Sequence, residues 1–315
     1  MDYQFDRRAF LKGAATCSLA ATGLNLIEGM DPLGIMGGAW AADARPLIAV
    51  AKNGAPAQMA RASVMAVGGM GRYVKKGDVV VVKPNIGWDR TPELAANTNP
   101  DVVKEVVRMC LEAGAKKVRV MDRTCNDPRR CYKRSGIADA VESIGDPAVT
   151  VEHIDERRFV TLPIKKGGSL ESWTFCQDML DADRLINVPI AKHHNAARLT
   201  MSLKNIMGCL GGNRGNIHHD LDGNIAALNT VMKFDLIVMD AVRVLTANGP
   251  QGGKTKDVKV LNTVVAGTDP VAVDAFGATL FGITANDVPH VMNAARLGLG
   301  VADLSKIKIQ TIDLG

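Results

Sequence analysis

From about residue 46 onward, two kinds of apolar spacing alternate along the chain. Short strand-like runs occur at 47–51, 118–121, 185–188, 236–239, 260–266 and 307–312, and Val79-Val80-Val81-Val82 is unbroken. Continuous apolar runs of this length suit strands buried on both faces. Between them lie stretches with helical spacing, at 57–67, 101–113, 135–144, 269–281 and 288–297. The punctuation agrees. Asn99-Pro100-Asp101 supplies an N-cap and a first-turn proline, Gly114 follows that helix, and Asp269-Pro270 opens another. Residues 149–153 and 158–164 read as strands of a less regular section. Strands alternating with helices predict an α/β fold: an open, largely parallel sheet with helices on both faces and an inserted irregular middle section, roughly 150–180. No Ser- or Pro-rich linker interrupts it, so residues 42–315 read as a single α/β domain.

Residues 1–41 break this pattern. Arg7-Arg8-Ala9-Phe10-Leu11-Lys12 resembles the twin-arginine export consensus, with Asp6 where Ser or Thr is usual. Residues 13–27 are too few and too weakly apolar for a transmembrane helix, and Ala39-Trp40-Ala41 offers a cleavage site. The segment therefore reads as a signal peptide taken by the twin-arginine translocase. The mature chain is expected in the periplasm, with no stable membrane span after cleavage. Such substrates cross folded, often with a cofactor already inserted, which favours metal or redox chemistry.

The net charge of +5 is dispersed and aromatics make up only 4%, so no basic, stacking surface for nucleic acid is expected. A small anionic molecule fits the balance better. Of the six cysteines, Cys17 lies in the signal, and none forms a Cys-x-x-Cys pair. Cys125 and Cys131 share one loop. A disulfide, a pair of metal ligands and two free thiols all remain open for them.

Candidate chemistry collects where strands end. Lys83 and Asn85 follow the valine run, Asp122 follows 118–121, Lys192-His193-His194-Asn195 follows 185–188, and Asp240 follows 236–239. Open α/β sheets bind ligands outside the carboxyl ends of their strands. Adjacent histidines on extended backbone point opposite ways, so one of His193 and His194 is expected to face the site. His218-His219 forms a second pair, and one histidine from each pair with Asp220 or Asp240 could make a mixed nitrogen and oxygen metal site. In 199–209, Leu199, Leu203, Ile206 and Met207 fit a helical apolar stripe, with Lys204 on another face beside Asn205. The glycines at Gly211, Gly212 and Gly249 could offer backbone N–H groups to an anion, although no Walker A or dinucleotide fingerprint is present.

Taken in order, Val81-Val82-Lys83-Pro84-Asn85, Glu112-Ala113-Gly114-Ala115, Asp122, Leu185-Ile186-Asn187-Val188-Pro189 with Lys192 and His193-His194, Leu203-Lys204-Asn205-Ile206-Met207-Gly208-Cys209, Asp240 with Asn248-Gly249-Pro250, and Asp269-Pro270-Val271-Ala272-Val273-Asp274 resemble the domain of unknown function 362 family over roughly residues 46–312. Many members of that family carry a ferredoxin-like [4Fe-4S] module. This sequence has no Cys-x-x-Cys-x-x-Cys run, so such a cluster is not expected from this chain alone, and a redox partner protein could supply electrons.

The sequence thus predicts a metal- or redox-cofactor-dependent enzyme acting on a small anion at the carboxyl edge of the sheet. Lys83, Asp122, His194, Lys204 and Asp240 are its expected catalytic groups. Asn85, Asn205, Gly211, Gly212 and Gly249 would contact a cofactor. A metal ion would draw on His193, His194, His218, His219, Cys125 and Cys131. The alternative is a non-catalytic solute-binding, accessory or electron-transfer subunit.

Overall fold

The computed structural model of the chain describes residues 45–315. The export signal expected over 1–41 lies outside the described residues. Twelve strands are present among the described residues: β1 (Leu47–Lys52), β2 (Val79–Pro84), β3 (Lys117–Val120), β4 (Val149–Val151), β5 (Phe159–Pro163), β6 (Ser172–Cys176), β7 (Arg184–Val188), β8 (Ile190–His194), β9 (Arg198–Thr200), β10 (Leu236–Leu245), β11 (Val258–Gly267) and β12 (Lys308–Asp313). The main sheet runs β12-β1-β11-β10-β7-β2-β3-β4, with β8 paired to β10 and β9. From β10 across to β4 every neighbouring pair is parallel. The exception in the main path is β11, antiparallel to both β10 and β1. The sheet is therefore mixed, mostly parallel and open, as the alternating pattern predicts.

The valine run shows why both faces are covered. Successive strand side chains point to opposite faces. Val80 and Val82 enter one apolar core with Met59, Val64, Val103 and Val106, which come from helices Pro56–Ala66 and Pro100–Glu112. Val81 enters the other with Ile225, Val271, Val273 and Val291, from helices Leu221–Leu228, Pro270–Thr279 and Pro289–Arg296. In β10, Leu236 and Val238 join the first core, whereas Ile237 and Met239 join the second. Each fully buried Val or Ile contributes roughly 1.5–3 kcal/mol.

The irregular middle section is the separate antiparallel pair β5/β6, between β4 and β7. Two local expectations change. Ser135 does not open one helix; it ends helix Pro128–Arg134 and accepts from Ile137 N at 3.3 Å before helix Ile137–Glu142. Residues 199–209 do not form an amphipathic helix; β9 is followed by the 3-10 turn Lys204–Cys209.

From β2 the chain moves outward through β3 to β4, and from β7 it moves the other way to β10. The loops leaving the carboxyl ends of β2 and β7 therefore part company between two adjacent strands. This is the topological switch point where open α/β sheets bind ligands. Pro46–Gly315 forms one compact unit around it.

Candidate active site

At the end of β2, Lys83 turns its ammonium onto Asp122 just past β3, with Nζ 2.8 Å from Oδ1 and both side chains buried. The same Nζ donates to Pro84 O and Asn205 Oδ1, each at 2.9 Å. Two of its three donors are thus spent on protein oxygens and its charge is balanced by Asp122, so Lys83 builds the floor of the site. The second oxygen of Asp122 accepts from Ile86 N at 2.6 Å. Gly208 permits this packing, because a Cβ there would fall 1.7 Å from Asp122 Oδ1 and 2.6 Å from Lys83 Nζ.

Asn205 links this pair to its surroundings. Its amide nitrogen donates to Asn187 Oδ1 at 2.7 Å, and its oxygen accepts from Asn85 Nδ2 at 3.1 Å as well as from Lys83. Asn85 in turn accepts from Lys192 Nζ at 3.2 Å, and Lys192 also donates to Ala96 O. Lys192 lies on β8, and burial pulls its amine down to about 7.

Lys204 sits differently. Asp274 accepts from Ser202 N at 2.8 Å and Leu203 N at 2.9 Å, and Asn229 Nδ2 donates to Leu203 O at 3.0 Å, which fixes the start of the 3-10 turn. The turn aims Lys204 into the cleft. The residue is 7% exposed, yet no hydrogen bond or ion pair joins its Nζ to a described residue. Burial pulls this amine down to about 8, opposed by the nearby Cys125 thiol and reinforced by Arg214. A buried lysine with a lowered pKa serves as anion ligand, nucleophile or proton carrier.

His194 occupies the end of β8. Its Nδ1 accepts from Ala196 N and Ala197 N, each at 3.2 Å. The hydrogen-bond pattern therefore assigns the proton to Nε2. Burial, then Lys204 and Lys192, pull the ring down to about 2, so it stays neutral. His194 presents an N–H donor to the cleft. It is neither a free base nor, with this tautomer, an Nε2 metal ligand. Thr200 is 4% exposed, and its hydroxyl has no hydrogen-bond partner among the described residues.

These groups line a cleft of about 380 Å³ that also takes in Trp88, Cys125, Met207, Gly208, Arg214, His218 and Pro250. Arg214 does not offer its guanidinium to a ligand. It donates to Arg123 O at 3.0 Å, Met207 O at 3.1 Å and Thr124 O at 2.5 Å, and approaches Cys125 Sγ at 3.8 Å. It pins the Lys204–Cys209 turn to the loop after β3.

The structure brings Lys83, Asn85, Asp122, His194, Lys204, Asn205, Cys125 and His218 to one cleft. Others among the expected site residues fall elsewhere. Asp240 accepts from Asn99 N at 2.8 Å and Val242 N at 2.9 Å and touches no histidine; burial raises it to about 6. It ties a loop to β10 and does not orient His194. His193 turns the other way and accepts from Gly249 N at 3.1 Å. His219 does not line the cleft. Cys131 is buried, and Cys125 and Cys131 are both free thiols rather than a disulfide. Gly211 donates to Thr174 O at 2.9 Å and has no room for a Cβ against Phe159, while Gly212 is a left-handed turn residue; neither they nor Gly249 face the cleft. Among the described residues no group of three His, Cys, Asp or Glu side chains is placed to hold a metal ion. The expected metal set therefore does not assemble, because His193, His219 and Cys131 point elsewhere. Thr200, Arg214 and Gly208 escaped sequence reasoning.

Among the described residues no helix is long and apolar enough to cross a membrane. A thylakoid-associated protein of Synechocystis sp. is 27% identical over 241 residues, covering 74% of this chain and 72% of that protein. A protein of Thermotoga maritima superposes with a TM-score of 0.43 at 14% identity, covering 82% of this chain and 60% of that one. The lactate racemase apoprotein of Thermoanaerobacterium thermosaccharolyticum gives a TM-score of 0.41 at 10% identity, over 71% and 55% of the two chains. The chain thus spans less than two thirds of either solved relative. The family model described as Domain of unknown function (DUF362) matches residues 80–279, more than half of the sequence, and the protein belongs to that family.

Proposed function

We propose that the chain is an enzyme that binds a small anionic molecule in this cleft, with Lys204 as the group that gives and takes a proton. The carrying observation is the buried Lys204 amine that faces the cleft with no partner among the described residues. Lysine is buried in this way at a cost unless a ligand or a reaction uses it. An amine near 8 is present in both protonation states close to neutral pH, which suits proton transfer. The Nε2–H of His194 and the protonated form of Lys204 would hold the anion, and Lys204 would pass that proton during turnover. Among the described residues no three His, Cys, Asp or Glu side chains are placed to hold a metal ion, so the reading is built on these side chains.

The direct test needs no known substrate. Small carboxylates bearing a 2-hydroxy or 2-amino group, and 2-oxo acids with hydrogen at C3, are incubated with the protein in D2O, and exchange of the C2–H of the former and the C3–H of the latter is followed by NMR. Catalysed exchange that disappears in Lys204→Met supports the reading; no exchange with any member of the panel, or equal exchange in the variant, overturns it. The paired Arg7-Arg8 supports delivery by the twin-arginine translocase to the periplasm. Replacing both by Lys should leave the protein in the cytoplasmic fraction.

A further inference from the structure

We propose that Cys125 is a nucleophile in this cleft and that the occupant is a small carboxylate carrying an aldehyde or ketone carbon. The inference rests on the anion-handling reading of Lys204. Among the described cysteines, Cys110, Cys131, Cys176 and Cys209 are buried and only Cys125 is exposed. Its position is fixed twice over. Cys125 N donates to Gly87 O at 2.8 Å, and Arg214, held on three main-chain carbonyls, brings Nη2 to 3.8 Å from the sulfur. The thiolate is the form of cysteine that attacks carbon.

Two buried polar groups of the same cleft point to what is attacked. Thr200 and Lys204 are both more than nine-tenths buried, and among the described residues neither Thr200 Oγ1 nor Lys204 Nζ has a hydrogen-bond partner. Hydroxyl and ammonium are donors, and a carboxylate is an acceptor with two oxygens to offer them. His194 Nε2–H adds a third donor. A cleft of about 380 Å³ lies at the small end of ligand sites, so the molecule seated there is small.

The step balances without an oxidant or reductant. The Cys125 sulfur forms a bond to the carbonyl carbon as the C=O π pair moves onto oxygen. Lys192 donates to Ala96 O and Asn85 Oδ1, which leaves one N–H for that oxygen. The proton lost by the thiol replaces the one that Lys192 gives, and the product is a hemithioacetal.

Alkylation of the full chain tests this directly, read by intact and peptide mass spectrometry. Iodoacetate carries the carboxylate; iodoacetamide is its neutral analogue. The ratio of their rates at Cys125, divided by the same ratio for free cysteine, should exceed one by about tenfold, the effect of a charge-assisted hydrogen bond. Thr200→Val and Lys204→Met should each lower that ratio, and Cys125→Ser should abolish the label. With 13C-labelled glyoxylate, a sulfur-bound carbon signal should appear in wild type and not in Cys125→Ser. A ratio equal to that of free cysteine, together with no such signal, overturns the proposal. Acetate, which has no electrophile, separates the two readings. If it raises Tm in wild type and not in Lys204→Met while the ratio stays at one, only the role of Cys125 falls. If acetate has no effect either, both fall.

Discussion

Gly208 lies so close to Asp122 that a Cβ in its place would come within 1.7 Å of Oδ1. The Lys83–Asp122 pair and the 3-10 turn that carries Lys204 are thereby packed against each other with no side chain between them. Gly208→Ala should break the buried pair or displace the turn. Breaking such a pair costs about 3–5 kcal/mol. Urea unfolding should show a midpoint lowered accordingly, with little change in slope. A midpoint within error of wild type would show that the floor of the cleft can yield.

Asp274 does for the turn what an N-cap does for a helix. Its two oxygens take Ser202 N and Leu203 N. Asp274→Ala leaves two buried N–H groups unpaired, at roughly 1–3 kcal/mol each. Stability should fall by about that sum, and anion binding should weaken although residue 274 does not line the cleft. Loss of stability with unchanged acetate binding would separate the cap from the site.

The buried lysines also set a pH dependence. Burial lowers Lys192 to about 7 and Lys204 to about 8 in the folded chain, from an ordinary 10.5. Between those values and 10.5 the unfolded chain binds more protons than the folded one, so stability rises with pH in that window. Asp274, raised by burial to about 7, and Asp240, raised to about 6, act with the opposite sign: their contribution is fullest below the ordinary 3.8 and is lost as pH climbs through the folded values. His194, lowered by burial from 6.5 to about 2, offsets part of that effect below pH 6.5, so unfolding free energy should fall only shallowly toward about pH 7 and climb on the alkaline side. Lys204→Met should remove part of the alkaline climb and leave the acidic limb alone.

His194 should not titrate in the physiological range. Two backbone donors hold Nδ1, and burial keeps the ring neutral. Long-range 1H–15N NMR should show the Nε2–H tautomer unchanged between about pH 5 and 8. A midpoint near the ordinary histidine value would contradict the donor role.

The sheet was legible because its strands are simple. Val79–Val82 and the run in β10 are apolar on both faces, and Asn99-Pro100-Asp101 marks its helix start without ambiguity. The rim was legible as a place: Lys83, Asn85, Asp122 and His194 do meet where parallel strands end. What each group does was not. Lys83 and Asp240 look like available ionisable groups in sequence, but Lys83 pairs with Asp122 and Asn205 and Asp240 with Asn99, all far along the chain, and such pairing has no local signal. Of the apparent helical stripe, Leu203 and Ile206 are three apart and buried at the tight 3-10 turn, whereas Leu199 belongs to β9 and Met207 is half-buried at the cleft. The metal set failed for a geometric reason. Adjacent histidines on β8 point to opposite sides, so the pair contributes only His194.

The account depends on a free Lys204 amine near neutral pH, and its titration can be observed directly. With lysine labelled at Cε by 13C, one resonance, identified by its loss in Lys204→Met, should titrate near 8 and move upward when acetate is added. If that resonance titrates at the ordinary 10.5 and acetate leaves it unmoved, Lys204 is a solvated side chain and the cleft is not the site proposed.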